Sequence, residues 1–324
     1  MIEGFEQYRE ARKGHLDQAF EGRVSGFLGG VPGSRAGLLK SALKGGKKVR
    51  GTLLCLVSDA LEGDREQALP RAVAVELIHA ASLIHDDYVD QDRFRRRAPA
   101  VWTLSGSRNA VLLGDVIFAS AIEMMSALGP EDGRLVSRAI AQISAGALME
   151  PIDPGNAAAD IGRDAPGADL YEEIIFLKTG VLFGTACELG AVSAGVDREA
   201  RRHWFRYGSL LGEAYQIADD THDIKKLLAG GGAAPGSLAP LIPAFLRFAE
   251  EMRPRIPTLL SNGMPAGGDG LKPLFRLAVA RMEEEIEERL QSASAEILAW
   301  AGRPFGALAR RAPRDIIEMF NRRE

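Results

Sequence analysis

The 324-residue chain has only two cysteines, Cys55 and Cys187, each inside an apolar stretch of helical spacing. Two such thiols do not make a disulfide framework and fit a reduced, cytoplasmic protein. Aromatic residues are few, at 6%, and strand-like alternation is almost absent, so a sheet-based core has little to build on, whereas frequent Ala and Leu favour helix. No charge dominates. Forty Lys and Arg against 44 Asp and Glu give a net charge of −4, so there is no global basic field to hold nucleic acid or an anionic membrane, and any anion site must be local. No window approaches the roughly 18 uninterrupted apolar residues of a membrane span. The opening MIEGFEQYREARKG carries charges where a secretory signal needs an apolar run. The chain is therefore expected to be cytoplasmic, with no stable membrane insertion and no nucleic-acid partner.

Apolar residues recur at helical spacing through residues 35 to 62, 68 to 90, 107 to 127, 133 to 150, 169 to 194, 198 to 228, 237 to 260, 271 to 300 and 313 to 322. Breaks rich in Gly, Pro and Asp fall near 29 to 34, 63 to 65, 129 to 133, 151 to 168, 229 to 240 and 261 to 270. None is long or polar enough for a disordered interdomain linker, and the whole chain reads as one all-α domain over residues 1–324. The run Glu283 to Arg289, EEEIEER, reads as a solvated helix surface.

Chemistry concentrates in two places. Leu83-Ile84-His85-Asp86-Asp87-Tyr88-Val89-Asp90 closes an apolar helix, with Asp86 and Asp90 four apart and Asp87 and Asp90 three apart, so the carboxylates share one helical face. Crowded hard oxygens of this kind suit Mg²⁺ shared with phosphate. Gln216-Ile217-Ala218-Asp219-Asp220-Thr221-His222-Asp223 repeats the spacing at the end of a second apolar helix. Two copies, each ending a buried-looking helix, are hard to explain as surface decoration and point to a metal–diphosphate site. Cations to neutralise the remaining phosphate charge lie close by: Arg95, Arg96 and Arg97 after the first cluster, and Lys47 and Arg50 after Gly45-Gly46, read as three apart on one helical face. Lys178-Thr179 sits within an otherwise apolar segment.

In order along the chain, GGKKVR, ELIHAASLIHDDYVDQDRFRRRAP, Gly114-Asp115, KTGVLF and YQIADDTHD resemble the trans-isoprenyl diphosphate synthases, the polyprenyl synthetase family. The resemblance covers about residues 40 to 225 and implies the isoprenoid synthase fold, a bundle of roughly ten or more mostly antiparallel helices around a central cavity, usually as a homodimer. It implies condensation of isopentenyl diphosphate with an allylic diphosphate, dependent on Mg²⁺ for which Mn²⁺ substitutes. Carried over by motif, Asp86, Asp87, Asp90, Asp219, Asp220 and Asp223 would hold the metal. Lys47, Arg50, His79 and Arg96 would hold isopentenyl diphosphate, and Arg95 and Lys178 the allylic diphosphate. Thr179 and Gln216 would steady the developing allylic cation. His85 is read as structural rather than as a base. Three departures stand out: Gly51 in place of the usual Pro, Arg97-Ala98 in place of Gly-Lys, and no Gly-Lys loop after the second motif, where Lys225 or Lys226 is the candidate substitute.

The resemblance also bears on product length. Ala81 and Ser82, five and four positions before Asp86, lie roughly 6 to 8 Å below the metal site on the path of a growing tail. Both are small where short-chain enzymes carry aromatics, and a medium or long all-trans product, C25 or longer, is expected ahead of geranylgeranyl or farnesyl diphosphate. The alternative is a deeper floor such as Phe118. A class I terpene cyclase shares the first motif, but its Ser/Thr and Glu metal pattern is missing around Asp219 to Leu227. A non-catalytic subunit of a heteromeric synthase tends to lose aspartates, and all six are present.

Overall fold

The structure is a computed structural model that describes residues 2–29, 45–95, 98–150, 167–230, 232–264 and 270–322, with isolated positions between 31 and 43. Helix dominates. The chain runs through α1 (Phe5–Leu28), α2 (Val49–Ala60), α3 (Arg65–Val89), a two-residue hairpin pairing Phe94–Arg95 with Ala98–Pro99, and a short α4 (Val101–Ser105). It continues through α5 (Ser107–Leu128), α6 (Pro130–Met149), α7 (Gly167–Ile175), a π-turn (Phe176–Gly180) and α8 (Val181–Ser193). The remainder is α9 (Arg198–Leu228), short helices including α10 (Ile242–Phe248) and α11 (Ile256–Asn262), then α12 (Lys272–Glu296) and α13 (Gly306–Asn321).

The central helix is α3, whose residues 71 to 78 are all buried. It starts on an N-cap, the Asp64 carboxylate accepting from the Glu66 N–H at 2.9 Å. The buried guanidinium of Arg71 makes two hydrogen bonds to Asp132 in the first turn of α6, at 2.7 and 2.9 Å, pinning the two helices in register. On the other side, α8 and α9 pack backbone to backbone. A Cβ on Gly208 would come within 2.4 Å of the Phe183 carbonyl, and one on Gly212 within 2.8 Å of Gly180 Cα, so larger residues would push the helices apart.

Three departures from the sequence expectation have local causes. Residues 35 to 62 are not one helix, because Gly45 and Gly46 at φ +86° and Lys48 at φ +47° hold the left-handed region and α2 begins only at Val49. The apolar stretch 237 to 260 is cut into short pieces, with Pro254 inside a 3₁₀ turn and Pro257 in the first turn of α11. Residues 5 to 28 form an unanticipated helix. Its buried side chains, Phe5, Tyr8, Leu16, Phe20, Val24 and Leu28, skip the turn at Arg12. Arg12 pairs there with Asp59 of α2, which also accepts from Tyr8 Oη at 2.7 Å. That polar anchor replaces the missing apolar turn.

Candidate active site

Asp86 and Asp87 occupy the last turn of α3, and Asp90 is its C-cap, its N–H bonded to the Asp86 carbonyl at 2.8 Å. Asp87 is buried and pairs with Arg95 of the hairpin strand. Burial raises the Asp86 carboxyl, against the pull of Lys178, and pushes that of Asp90 up to about 6, with Lys178 opposing and Glu150 adding to the rise.

The second cluster lies on α9, where Asp219 is exposed and Asp223 accepts from Lys226 at 2.7 Å. Asp220 is held from both sides: its Oδ2 accepts from the Tyr171 hydroxyl at 2.6 Å and its Oδ1 from the Gln216 amide at 3.0 Å. Burial lifts its carboxyl to about 7, the Tyr171 hydroxyl opposing and the Asp219 charge adding. Gln216 in turn accepts from Thr179 Oγ1 at 2.7 Å, linking α9 to the π-turn.

Lys178 and Glu150 connect the clusters. They pair directly, and Glu150 acts electrostatically on Asp86 and Asp90 on one side and on Asp220 on the other. Although burial works against its charge, Lys178 is lifted to about 12 by Glu150, Asp86 and Asp90. It therefore stays a cation among carboxylates. The π-turn that presents Lys178 and Thr179 is the sort of helix irregularity that collects at functional sites.

The residues expected to hold a second diphosphate divide. His79 and Arg95 line a cavity of about 350 Å³, together with Gly45, Gly46, Lys48, Glu76 and Asp87. Lys47, just ahead of α2 and off its helical face, instead donates to the Met319 carbonyl of α13 at 3.1 Å, and the Arg50 guanidinium lies 4.3 Å from the Phe183 ring centroid. The expected shared helical face for Lys47 and Arg50 is thus interrupted by the left-handed turn at Lys48. Arg96 and Arg97 lie outside the described residues. Lys225 pairs with Glu283 at 2.8 Å, which leaves Lys226 as the cation at the second cluster. Gly51 has its own reason to be glycine, since its N–H donates to Glu76 at 2.7 Å and a Cβ would meet Glu76 Cγ at 2.9 Å.

His85 turns away from the aspartates towards α5. Its Nε2 is 3.0 Å from the Val111 carbonyl, its ring meets Phe118 edge-on at 5.6 Å, and Gly114 leaves it room. Ala81, one turn below His85 on that side, is fully buried, while Ser82 stands one turn below Asp86 and bonds the His79 carbonyl at 3.0 Å. Glu150 and Tyr171 carry no sequence signal of a role here; for Tyr171, the π-turn at Phe176–Gly180 breaks the helical phase between it and Lys178. Arg289 corrects the reading of EEEIEER: it is largely buried and pairs with Glu213, with Glu172 and, at 3.0 Å, with Glu285.

Among the described residues no three His, Cys, Asp or Glu side chains form a ready-made metal cage. The donor set still fits Mg²⁺, which keeps several waters and is bound through one or two carboxylates plus substrate phosphates. Asp86, Asp90 and Asp220 are each raised, first by burial and then by neighbouring carboxylates, and a bound cation would offset both effects.

Residues 36–228 match the Polyprenyl synthetase family model. The chain belongs to the polyprenyl synthetase family. It is 36% identical over 229 residues to a short chain isoprenyl diphosphate synthase of Methanothermobacter thermautotrophicus, covering 68% of this chain and 69% of that one. It is 32% identical to a geranylfarnesyl diphosphate synthase of Methanosarcina mazei, covering 57% and 60% of the two chains. The crystal structure of a polyprenyl synthase from Caulobacter crescentus, complexed with calcium and isoprenyl diphosphate, superposes with a TM-score of 0.77 over 98% of each chain at 23% identity, and so shares the fold. As a family member the polyprenyl synthetase is a prenyltransferase with the isoprenoid synthase fold.

Proposed function

We propose that this polyprenyl synthetase condenses isopentenyl diphosphate with an allylic diphosphate, head to tail, with Mg²⁺ or Mn²⁺. The observation that carries this reading is the Lys178–Glu150 pair, whose charges act on aspartates of both clusters and so support reading the two distant motifs as one site. In this reading Asp86, Asp87, Asp90, Asp219, Asp220 and Asp223 would hold the metal, Asp87 being paired with Arg95 beforehand. When bound, the metal stabilises negative charge on the departing diphosphate. Lys178 and Arg95 add positive charge on the same leaving group. Thr179 and Gln216, hydrogen-bonded to each other, present oxygen atoms to the allylic carbon as positive charge develops there. His79, Lys47, Arg50 and Arg96 receive isopentenyl diphosphate, the first beside the 350 Å³ cavity. The released diphosphate takes the proton lost at the end.

The product is proposed to be C25 or longer. Support comes from the small residues Ala81 and Ser82. Phe118, whose ring meets His85 edge-on at 5.6 Å, is the alternative floor. The whole chain is read as one domain, with the Phe5 N–H bonded to Asp315 of α13 at 2.8 Å, and as a cytoplasmic homodimer. α5 supports the dimer: it is apolar enough to span a membrane, at mean hydropathy 1.8, yet only 33% buried, with Val111, Leu112 and Val116 exposed. Among the described residues the other helical stretch of that kind, Leu170–Ser193, is 78% buried as a core element. Incubating the protein with labelled isopentenyl diphosphate and primers from dimethylallyl to geranylgeranyl diphosphate tests the reading by chain-length analysis. Products of C25 or longer are expected; cyclised hydrocarbons without uptake of isopentenyl diphosphate would overturn it.

A further inference from the structure

We propose that Tyr171 is a positioning residue that presets the Asp220 carboxylate for the metal–diphosphate group, an inference that rests on the proposed function. Tyr171 is 2% exposed, and its ring packs edge-on against Phe248 of α10, centroids 5.5 Å apart. Its ring belongs to an apolar cluster with Ile217, Ile224 and Phe245, and its hydroxyl points to Asp220 Oδ2 at 2.6 Å. Buried hydroxyls need partners, and a phenol holds this position where a phenylalanine would pack equally well, so the oxygen serves the carboxylate rather than the core.

Asp220 needs such a hold. Its neighbours Asp219 and Glu150 are acidic and repel it, and only neutral donors can fix its direction without cancelling the charge a metal requires. Tyr171 and Gln216 are such donors, one on each oxygen. Each carboxylate oxygen keeps further acceptor capacity for a cation. The chain Thr179 to Gln216 to Asp220, closed by Tyr171, joins α7, the π-turn and α9 in one hydrogen-bonded line. Outer hydrogen bonds to a ligating carboxylate set its orientation and hence metal affinity.

The test is Tyr171→Phe in the full chain, with Phe248→Leu as a control that disturbs the ring's packing but keeps the hydroxyl. For Tyr171→Phe the Mg²⁺ concentration giving half-maximal turnover should rise roughly tenfold. Mn²⁺ binding in the presence of inorganic pyrophosphate, followed by electron paramagnetic resonance, should weaken in parallel. The Michaelis constant for isopentenyl diphosphate and the melting temperature should stay close to wild type, and Phe248→Leu should leave the Mg²⁺ response unchanged. An unchanged Mg²⁺ midpoint with unchanged Mn²⁺ binding overturns the proposal, as does an equal shift in Phe248→Leu, which would assign the effect to packing. If the wild type fails to condense isopentenyl diphosphate, the proposed function fails, while the Mn²⁺–pyrophosphate comparison still decides the role of Tyr171.

Discussion

Replacing Arg289 with Met tests whether the helices that carry the site are held by a buried ionic tie. Arg289 of α12 reaches Glu172, one turn before the π-turn, and Glu213, one turn before Gln216, with Glu285 on its own helix. The Arg289 and Glu213 side chains are each 11% exposed, whereas Glu172 is 35% exposed. Removing one partner of a fully buried pair costs about 3–5 kcal/mol, and partial solvent access at Glu172 lowers this to about 3 kcal/mol. At roughly 2–4 °C per kcal/mol the melting temperature should fall by about 6–12 °C near pH 8. The loss should depend on pH in a definite direction. Burial already lifts the Glu213 carboxyl to about 7 against the opposing Arg289 charge. A carboxyl with a raised folded-state value binds more protons folded than unfolded, so it penalises the fold increasingly as pH rises from its unfolded value towards 7. Without Arg289 the folded value rises further and the penalty at pH 8 grows, while at pH 5.5 a protonated Glu213 needs no partner. Thermal denaturation of wild type and variant at both pH values isolates this difference, because the raised Asp90 and Asp220 are common to the two proteins. A deficit that is as large at pH 5.5 as at pH 8 would refute the reasoning.

Gly114→Ala would place a Cβ 2.1 Å from His85 Nε2; a destabilisation of about 1–3 kcal/mol by overpacking is expected in chemical denaturation. Lys47→Ala and Arg50→Ala should each raise the Michaelis constant for isopentenyl diphosphate roughly tenfold while leaving that for the allylic primer nearly unchanged, as read by steady-state kinetics. The opposite selectivity would reassign both residues. Ala81→Phe puts a ring at a fully buried position, so products should shorten while the first condensation continues; an unchanged distribution in the chain-length assay would show that this wall does not set length.

The legible parts of the molecule are those whose signal is local. α3 and α9 carry unbroken apolar periodicity that ends at each aspartate cluster, and their observed bounds, Arg65–Val89 and Arg198–Leu228, lie within a few residues of the expected ones. The clusters themselves follow from i, i+3 and i, i+4 spacing. What stayed hidden depends on distant partners. α1 escaped because Arg12, paired with Asp59, interrupts its apolar face. Arg289 looked solvated because its acidic partners Glu172 and Glu213 lie 117 and 76 residues away. Glu150 gave no signal, since its place between the clusters comes from how α6 packs against the π-turn. Lys47 was assigned to a helical face because Lys48 carries no sign in the sequence of its left-handed conformation, which coincides with an ion pair to Asp17 and a contact with the Phe20 ring.

The central claim is that two motifs far apart in sequence act as one metal–diphosphate site. Turnover of labelled isopentenyl diphosphate with an allylic primer should be measured for wild type, Asp86→Ala and Asp219→Ala over a range of Mg²⁺ concentrations, with folding checked by melting temperature. Each variant should lose roughly 10³-fold or more in turnover, since each removes charge stabilisation at the leaving group, while remaining folded. Either variant turning over at near the wild-type rate, or wild-type turnover that persists after chelation of divalent metal, would contradict the claim.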